Sequence, residues 1–400
     1  MLKQNSPTSA EKEHAQRDKT ALRISFFSSC PDPWGGSEEL WSGAALQLSR
    51  RGHSVSVVRV GGQSDHPKIR RLQAECREVV DVVAKENAIV RYFKRVCNIR
   101  QGPDARLSWL KRKIKNERPD LIVINQGQNF DGIHLAEVAQ SCQIPYVVLS
   151  HKAADQAWPN DRIFLPMQQM YSAARKTYFV SEHNLRLTEL QLGMKLPHAE
   201  IVLNPCAVPC LKPLPWPGDC ATIRLACIGR LFALEKGQDI LIRVLSQKKW
   251  QSRPIEVSFV GSGRNQEGLK GMAEMLGVRN LRFPGFVDDV TNVWRLHHAL
   301  VLPSRCEGMP LTLFEASCLG RPAIATAVGG NAEIIDDNRT GFVAEAANAD
   351  SFDEALERAW ARREEWESIG LAASRRVNSL MTEDPCATFM EKLIEDVHSR

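Results

Sequence analysis

The stretch Leu302–Pro322, LPSRCEGMPLTLFEASCLGRP, decides how this chain is read. It follows the apolar run HALVLPS, which predicts a buried strand ending near Pro303. Ser304–Met309 reads as a loop. Pro310 suits the first position of a helix, where its missing N–H has no intrahelical partner. The helix is expected to reach Leu319. Gly320 suits the left-handed residue that ends a helix, and Pro322 blocks continuation. PAIATAV then predicts the next strand. Strand, loop, helix and strand in this order make a parallel β-α-β unit.

Two glutamates sit in that unit, Glu307 and Glu315. Glu307 falls at the carboxyl end of a strand, ahead of a helix N-terminus. Glu315 lies inside the helix, and helical side chains lean towards the N-terminus. Both carboxylates therefore border one place, which also offers free backbone N–H groups and the positive end of a helix dipole. A phosphate ligand carrying several hydroxyls fits, and a nucleotide sugar is such a ligand. On spacing alone, a solvated loop Glu and an exposed helix Glu satisfy the pattern equally.

Working outward, β-α alternation fills the chain. Strands are predicted at LRISFFSS (Leu22–Ser29), SVSVVRV, DLIVIN (Asp120–Asn125), YVVLSH (Tyr146–His151) and TYFVS (Thr177–Ser181). After NPCAVPCLKPLPWPGDC the alternation restarts with IRLACIG, IEVSFVG, LRFPG, HALVLPS and PAIATAV. Five prolines between Pro205 and Pro217 exclude a helix or a central strand there. The expected organisation is a disordered tail over 1–22, a Rossmann-like domain over 23–205 and a Pro-rich linker over 206–221. A second Rossmann-like domain over 222–383 and a C-terminal helix over 384–400 follow, the helix packing back on the first domain. Phe389, Met390, Leu393, Ile394 and Val397 share one face of that last helix. Ligands of such sheets sit beyond the carboxyl ends of the strands, so the cleft between the halves is the expected site.

Composition agrees with a globular protein. Of 400 residues, 43% are hydrophobic, and no apolar run is long enough to cross a bilayer. The first 22 residues, polar and without an apolar core, do not read as a signal peptide. A net charge of +5 permits acidic ligands or an anionic membrane surface and does not call for nucleic acid. Eleven scattered cysteines read as reduced thiols in a cytoplasmic protein. Cys206 and Cys210 lack a zinc spacing.

Other segments of the second half point to the same ligand. IGRLFALEKG (Ile228–Gly237) places Arg230 and Lys236 after a strand, where two cations can neutralise a diphosphate. VGSG (Val260–Gly263) permits close backbone approach. FPGFVDDV, with Phe286 and Val287, offers an apolar loop for a flat base.

These segments together resemble the family 4 glycosyltransferases, retaining enzymes of the GT-B fold. The likeness runs from Ile24 to the C-terminus and is most specific from Ile228 to Ala344. It is carried by Gly229-Arg230-Leu231, Lys236-Gly237 and Gly261-Ser262-Gly263, and by Pro303, Ser304, Glu307, Gly308, Glu315, Ala316, Gly320, Pro322, Gly329, Gly330 and Glu333. The resemblance implies that Arg230 and Lys236 hold the donor diphosphate, that Glu307 meets the donor sugar and that Glu315 meets the ribose. The backbone around Gly308, Met309, Leu311 and Thr312 would meet the sugar and the β-phosphate. DPWGGSEELW is similar to the family's phosphate-covering loop, giving roles to Gly35 and Gly36, with Ser37 as helix cap and Glu38 and Glu39 favouring the helix start. His151, at a strand end, would face the donor sugar. Pro310 departs from the small residue many members carry.

The expected chemistry is cleavage of a sugar–phosphate bond through an oxocarbenium-like state, with retention, in polysaccharide or glycolipid synthesis. Arg230 and Lys236 would stabilise the leaving diphosphate in place of a metal. No Asp-x-Asp pair is seen, and no cofactor is expected. The acceptor would be a saccharide, a lipid-linked sugar or a small molecule. The alternative is a nucleotide-sugar epimerase of the same architecture. A nicotinamide oxidoreductase is disfavoured by the missing G-x-G-x-x-G. A non-catalytic binding module is disfavoured by Arg230, Lys236, Glu307 and Glu315 standing together. From Ile89 to Asp120 there are ten Lys or Arg against three acidic residues. Ile89, Phe93, Val96 and Ile99 make an interfacial face for peripheral contact with an anionic membrane. The competing expectation is that Leu107, Leu110 and Ile114 pack a helix onto the sheet.

Overall fold

Two parallel sheets organise the chain, each fed by the near-continuous apolar runs that parallel strands need when covered on both faces. The computed structural model describes residues 21–30, 34–60, 65–82, 105–206, 212–218 and 221–398. The first sheet contains β1 (Arg23–Ser28), β2 (Ser54–Arg59), β3 (Glu78–Asp81), β4 (Leu121–Gln128), β5 (Tyr146–Lys152), β6 (Lys176–Phe179) and β7 (Ala199–Ile201). Its order is β3-β2-β1-β4-β5-β6-β7. The second contains β8 (Ile223–Ile228), β9 (Ile255–Val260), β10 (Leu281–Gly285), β11 (Ala299–Leu302), β12 (Ala323–Thr326) and β13 (Gly341–Ala344), in the order β10-β9-β8-β11-β12-β13. Both orders reverse direction once, beside β1 and β8, and these switch points open crevices at the carboxyl ends of the strands.

The expected GT-B arrangement, two Rossmann-like sheets with helices on their faces, is the one observed. β3, β7 and β13 lie outside the expected strands. Each has three or four residues at or near a sheet edge, too short for a periodic signal. The opening stretch folds as expected with one shift. The helix spans Leu311–Cys318, and Pro310, at φ −71° and ψ 124°, stands just outside it as the N-cap. Gly320 takes φ +77° beyond its end.

The helix Pro385–His398 returns to the first sheet. Its Phe389, Met390 and Leu393 are buried in one core with Trp41, Leu48 and Val147. The helix crosses Glu39–Arg50 so closely that a Cβ on Gly43 would stand 2.3 Å from Cys386 Sγ. Asp396 is buried there and accepts a 2.5 Å hydrogen bond from the Tyr178 hydroxyl. The Pro-rich segment is held against the second half by buried Arg321, which donates to the carbonyls of Leu214, Pro215, Trp294 and Leu319.

In the helix Ala105–Glu117, Leu110 and Ile114 are buried against the first sheet and Leu107 packs beside them. Ile89, Phe93, Val96 and Ile99, the expected membrane face, lie outside the described residues, as does Cys210. No helix among the described residues is long and apolar enough to cross a membrane.

Candidate active site

The strand ends of the two sheets meet main chain to main chain. Gly308, in the loop after β11, lies so close to the end of β5 that a Cβ on it would stand 1.9 Å from the His151 carbonyl oxygen. Lys152 Nζ bridges to Glu235 Oε1 at 2.8 Å. Glu333 accepts from the backbone N–H groups of Glu182 and His183, at 3.2 and 2.8 Å, at the start of the helix Glu182–Leu192. There its charge also suits the helix dipole.

On the second half, Lys236 closes the short helix Ala233–Lys236 and turns towards the loop after β11. Its Nζ lies 2.7 and 2.8 Å from the two carboxylate oxygens of Glu307, and Ser304 Oγ donates to Oε1 at 2.7 Å. Glu307 is buried. The exposed-loop alternative therefore does not hold, and neither does it for Glu315, which is 5% exposed. Glu315 Oε2 has no hydrogen-bond partner among the described residues. Burial, and after it the charge of Glu39, raise its pKa to about 7. Arg230 is half-exposed and pairs with Glu235 Oε2 at 3.2 Å, so Glu235 links Arg230 to Lys152.

Gly261 and Gly263 serve the protein's own backbone. A Cβ on either would stand 2.1 Å from Gly229 O or 2.5 Å from Leu231 O, and Gly229 and Gly261 take φ +153° and +138°. The loops after β8 and β9 therefore approach each other closely at these glycines. Phe286 is exposed and Val287 partly buried beside the core. Met309 is buried, while Leu311 and Thr312 open the helix, half-buried, with Leu311 Cδ1 3.4 Å from where a Gly36 Cβ would be.

On the first half, Gly35 is extended and Gly36–Glu38 forms a 3-10 turn leading into the helix Glu39–Arg50. Ser37 makes no cap, because the added turn places it inside rather than before the helix. Glu38 and Glu39 do not serve the helix start alone. Glu39 accepts from Trp34 Nε1 at 2.7 Å and pairs with Lys68. Glu38 is fully buried and receives Ser28 Oγ at 3.0 and 3.1 Å and Asn125 Nδ2 at 3.2 Å. Burial raises its pKa, against the opposing bond from Ser28 and the charge of Arg59. Asn125 Oδ1 lies 2.7 Å from His151 Nε2. Burial pushes the His151 pKa down to about 3, so the ring is neutral.

These contacts bring Lys236 to Glu307, Gly308 to the end of β5 at His151, Leu311 to the Gly35–Gly36 loop, and Arg230 through Glu235 to Lys152. Glu38, Asn125, Lys152, Glu235 and Glu333 join these residues. Lys152 follows His151 directly and Glu235 precedes Lys236, so proximity in sequence was a usable signal for those two. Among the described residues, no group of three or more His, Cys, Asp or Glu stands together to hold a metal ion.

Comparison with known proteins agrees with this fold. The profile of the family described as Glycosyl transferases group 1 matches residues 222–362, and that of Glycosyltransferase Family 4 matches residues 34–210. D-rhamnosyltransferase WbpZ of Pseudomonas aeruginosa is 33% identical over 152 residues, 37% of this chain and 39% of that protein. An uncharacterized glycosyltransferase of Haemophilus influenzae is 22% identical over 337 residues, 84% of this chain and 89% of that one. Among solved structures, Anabaena HepE in complex with UDP superposes with a TM-score of 0.73 at 16% identity, covering 95% of this chain and 100% of that chain. Two glycosyltransferase family models thus match the two halves of the chain in turn, and its fold is that of the GT-B glycosyltransferase structures.

Proposed function

We propose that the chain moves a hexose from a nucleoside-diphosphate sugar to an acceptor, with retention and without a bound metal, in polysaccharide or glycolipid synthesis. The second half, 222–383, would take the donor and the first, 23–205, the acceptor. The observation that carries this reading is the buried Lys236–Glu307 pair in the loop that leads into the Leu311–Cys318 helix, a helix that also carries buried Glu315, whose Oε2 has no hydrogen-bond partner among the described residues. A phosphate at that helix start would gain from the dipole and from Lys236 and Arg230. Glu307 would then turn to the sugar hydroxyls. Glu315 would accept from the ribose, and Phe286 and Val287 would border the base. HepE binding UDP supports the class of donor.

Negative charge grows on the leaving diphosphate as the glycosidic bond breaks. Arg230 and Lys236 meet that charge where it develops, so their stabilisation is greater in the transition state than in the ground state. Attack on the face from which the diphosphate departs would retain configuration. The acceptor is taken to be a saccharide or a lipid-linked sugar. The basic segment between Ile89 and Asp120 supports peripheral contact with an anionic membrane, and co-sedimentation with anionic and neutral vesicles at low and high salt tests it.

A thermal-shift panel of UDP, GDP and ADP sugars tests the donor. A sugar nucleotide at a hundred times its Kd is expected to stabilise the fold by about 2.7 kcal/mol. No shift with any of them would remove the reading. The anomeric configuration of the product, read by NMR, tests retention.

A further inference from the structure

Four buried side chains run from the 3-10 turn before the helix Glu39–Arg50 to the end of β5, and one of them ends in an atom without a hydrogen-bond partner among the described residues. Glu38, Ser28, Asn125 and His151 are each 5% exposed or less. His151 Nδ1 has no hydrogen-bond partner among the described residues. Its residue touches the second half directly, through the contact between its carbonyl and Gly308.

The donor and acceptor roles along the chain follow from the chemistry of its first member. An ionised carboxylate only accepts, and a protonated one still keeps one accepting oxygen. With Glu38 ionised, the atom of Asn125 facing it is the amide nitrogen, at 3.2 Å. Ser28 Oγ reinforces this, since it takes the Cys30 N–H at 3.3 Å and points its own proton at Glu38. With its nitrogen committed, Asn125 presents Oδ1 to His151 Nε2 at 2.7 Å. A bond of that length to a carbonyl oxygen needs a proton on Nε2. The second ring nitrogen of a neutral imidazole is then a bare acceptor.

We infer that Glu38 and Asn125 are positioning residues. Through two successive hydrogen bonds they hold His151 in the Nε2–H tautomer and leave Nδ1 as a fixed acceptor at the end of β5, in the residue whose carbonyl meets Gly308. This rests on the proposed function only for what Nδ1 meets, a hydroxyl of the transferred hexose. A neutral acceptor suits that place for a second reason. The sugar gains positive charge as the leaving group departs, and an imidazolium beside it would oppose that change.

The test uses the full chain labelled with nitrogen-15 histidine. His151 is assigned by the signals lost in His151→Gln. The expected spectrum at pH 7 shows a pyridine-like Nδ1 and a pyrrole-like Nε2. A protonated Nδ1 in the wild-type protein overturns the inference, and this measurement needs no variant to fold beyond the one used for assignment. Asn125→Leu is expected to give both tautomers and to lower kcat about tenfold, the cost of one mispaired hydrogen bond, with donor KM nearly unchanged. An unchanged single tautomer in Asn125→Leu overturns the inference. In Glu38→Gln the new amide can donate or accept, so the enforced orientation of Asn125 is lost and both tautomers are expected. A single unchanged tautomer there removes Glu38 from the relay. The expected tautomers in a protein that transfers no sugar support the relay and remove the glycosyl-transfer reading instead.

Discussion

Lys236 Nζ lies within 2.8 Å of both carboxylate oxygens of Glu307, although 71 residues separate them in the chain. The pair joins the loops after β8 and β11, neighbours in the second sheet. Glu307 is buried, so Lys236 is at once its counter-ion and the cation assigned to the donor diphosphate.

Lys236→Ala is therefore expected to fail twice. Turnover is expected to fall about a hundredfold or more, the scale for losing one transition-state charge partner. Stability is expected to fall by about 3 kcal/mol, because a buried carboxylate is left unpaired. Adding Glu307→Gln is expected to restore much of the stability and none of the turnover. Denaturant melts and steady-state rates on the four proteins of the cycle check this, and near-normal turnover in Lys236→Ala would remove the assignment.

Gly308→Ala probes the contact between the halves. The new Cβ would stand 1.9 Å from a backbone oxygen that cannot rotate away. The halves must shift apart, and a displacement of about 1 Å can cost on the order of a hundredfold in rate. Small-angle scattering is expected to show a larger radius of gyration with both halves folded. Wild-type rate and radius together would contradict the close approach.

Glu315 has a folded pKa of about 7, raised above its ordinary carboxylate value. A raised carboxyl pKa makes the folded state bind more protons than the unfolded one, so stability falls as pH rises between the two values. The penalty is absent below the unfolded pKa and complete above about 7, where it reaches roughly 3 kcal/mol. Glu315→Gln is thus expected to raise Tm at pH 8, to change it little at pH 4, and to weaken donor binding at both. A variant that melts with the wild type at pH 8 would show that Glu315 is not desolvated.

The C-terminal helix is expected to be required for the first sheet to stay covered. Leu393 is fully buried in that core, and Leu393→Ala is expected to cost about 2–5 kcal/mol. Asp396→Ala leaves the buried Tyr178 hydroxyl without its acceptor. It is expected to cost about 1–3 kcal/mol. Chemical denaturation measures both.

Transfer is expected to survive excess EDTA, since Arg230 and Lys236 are assigned the charge that a divalent ion carries elsewhere. Complete loss, restored by magnesium or manganese, would move that work to a metal.

Much of this molecule was legible in one dimension. Parallel strands need apolar runs, so β1, β2, β4–β6 and β8–β12 stood out, and the pairing of Pro310 with Gly320 bracketed a helix within one residue at each end. Glu307 and Glu315 could be placed on one β-α unit, and Arg230 and Lys236 on another, because a strand end and the next helix start are neighbours in any parallel unit. That Lys236 meets Glu307 depends on β8 and β11 being neighbours in the second sheet. Tertiary structure alone decided which of two adjacent glutamates, Glu38 or Glu39, is buried. It also decided that Asn125 and His151, 26 residues apart, face each other. That contact depends on β4 and β5 being neighbours in register, with Asn125 opposite Leu149. The ion pair Lys152–Glu235 and the Gly308–His151 contact depend on how two separate sheets face each other. No residue periodicity encodes that relation, because it is set by surfaces that form only after each sheet has folded.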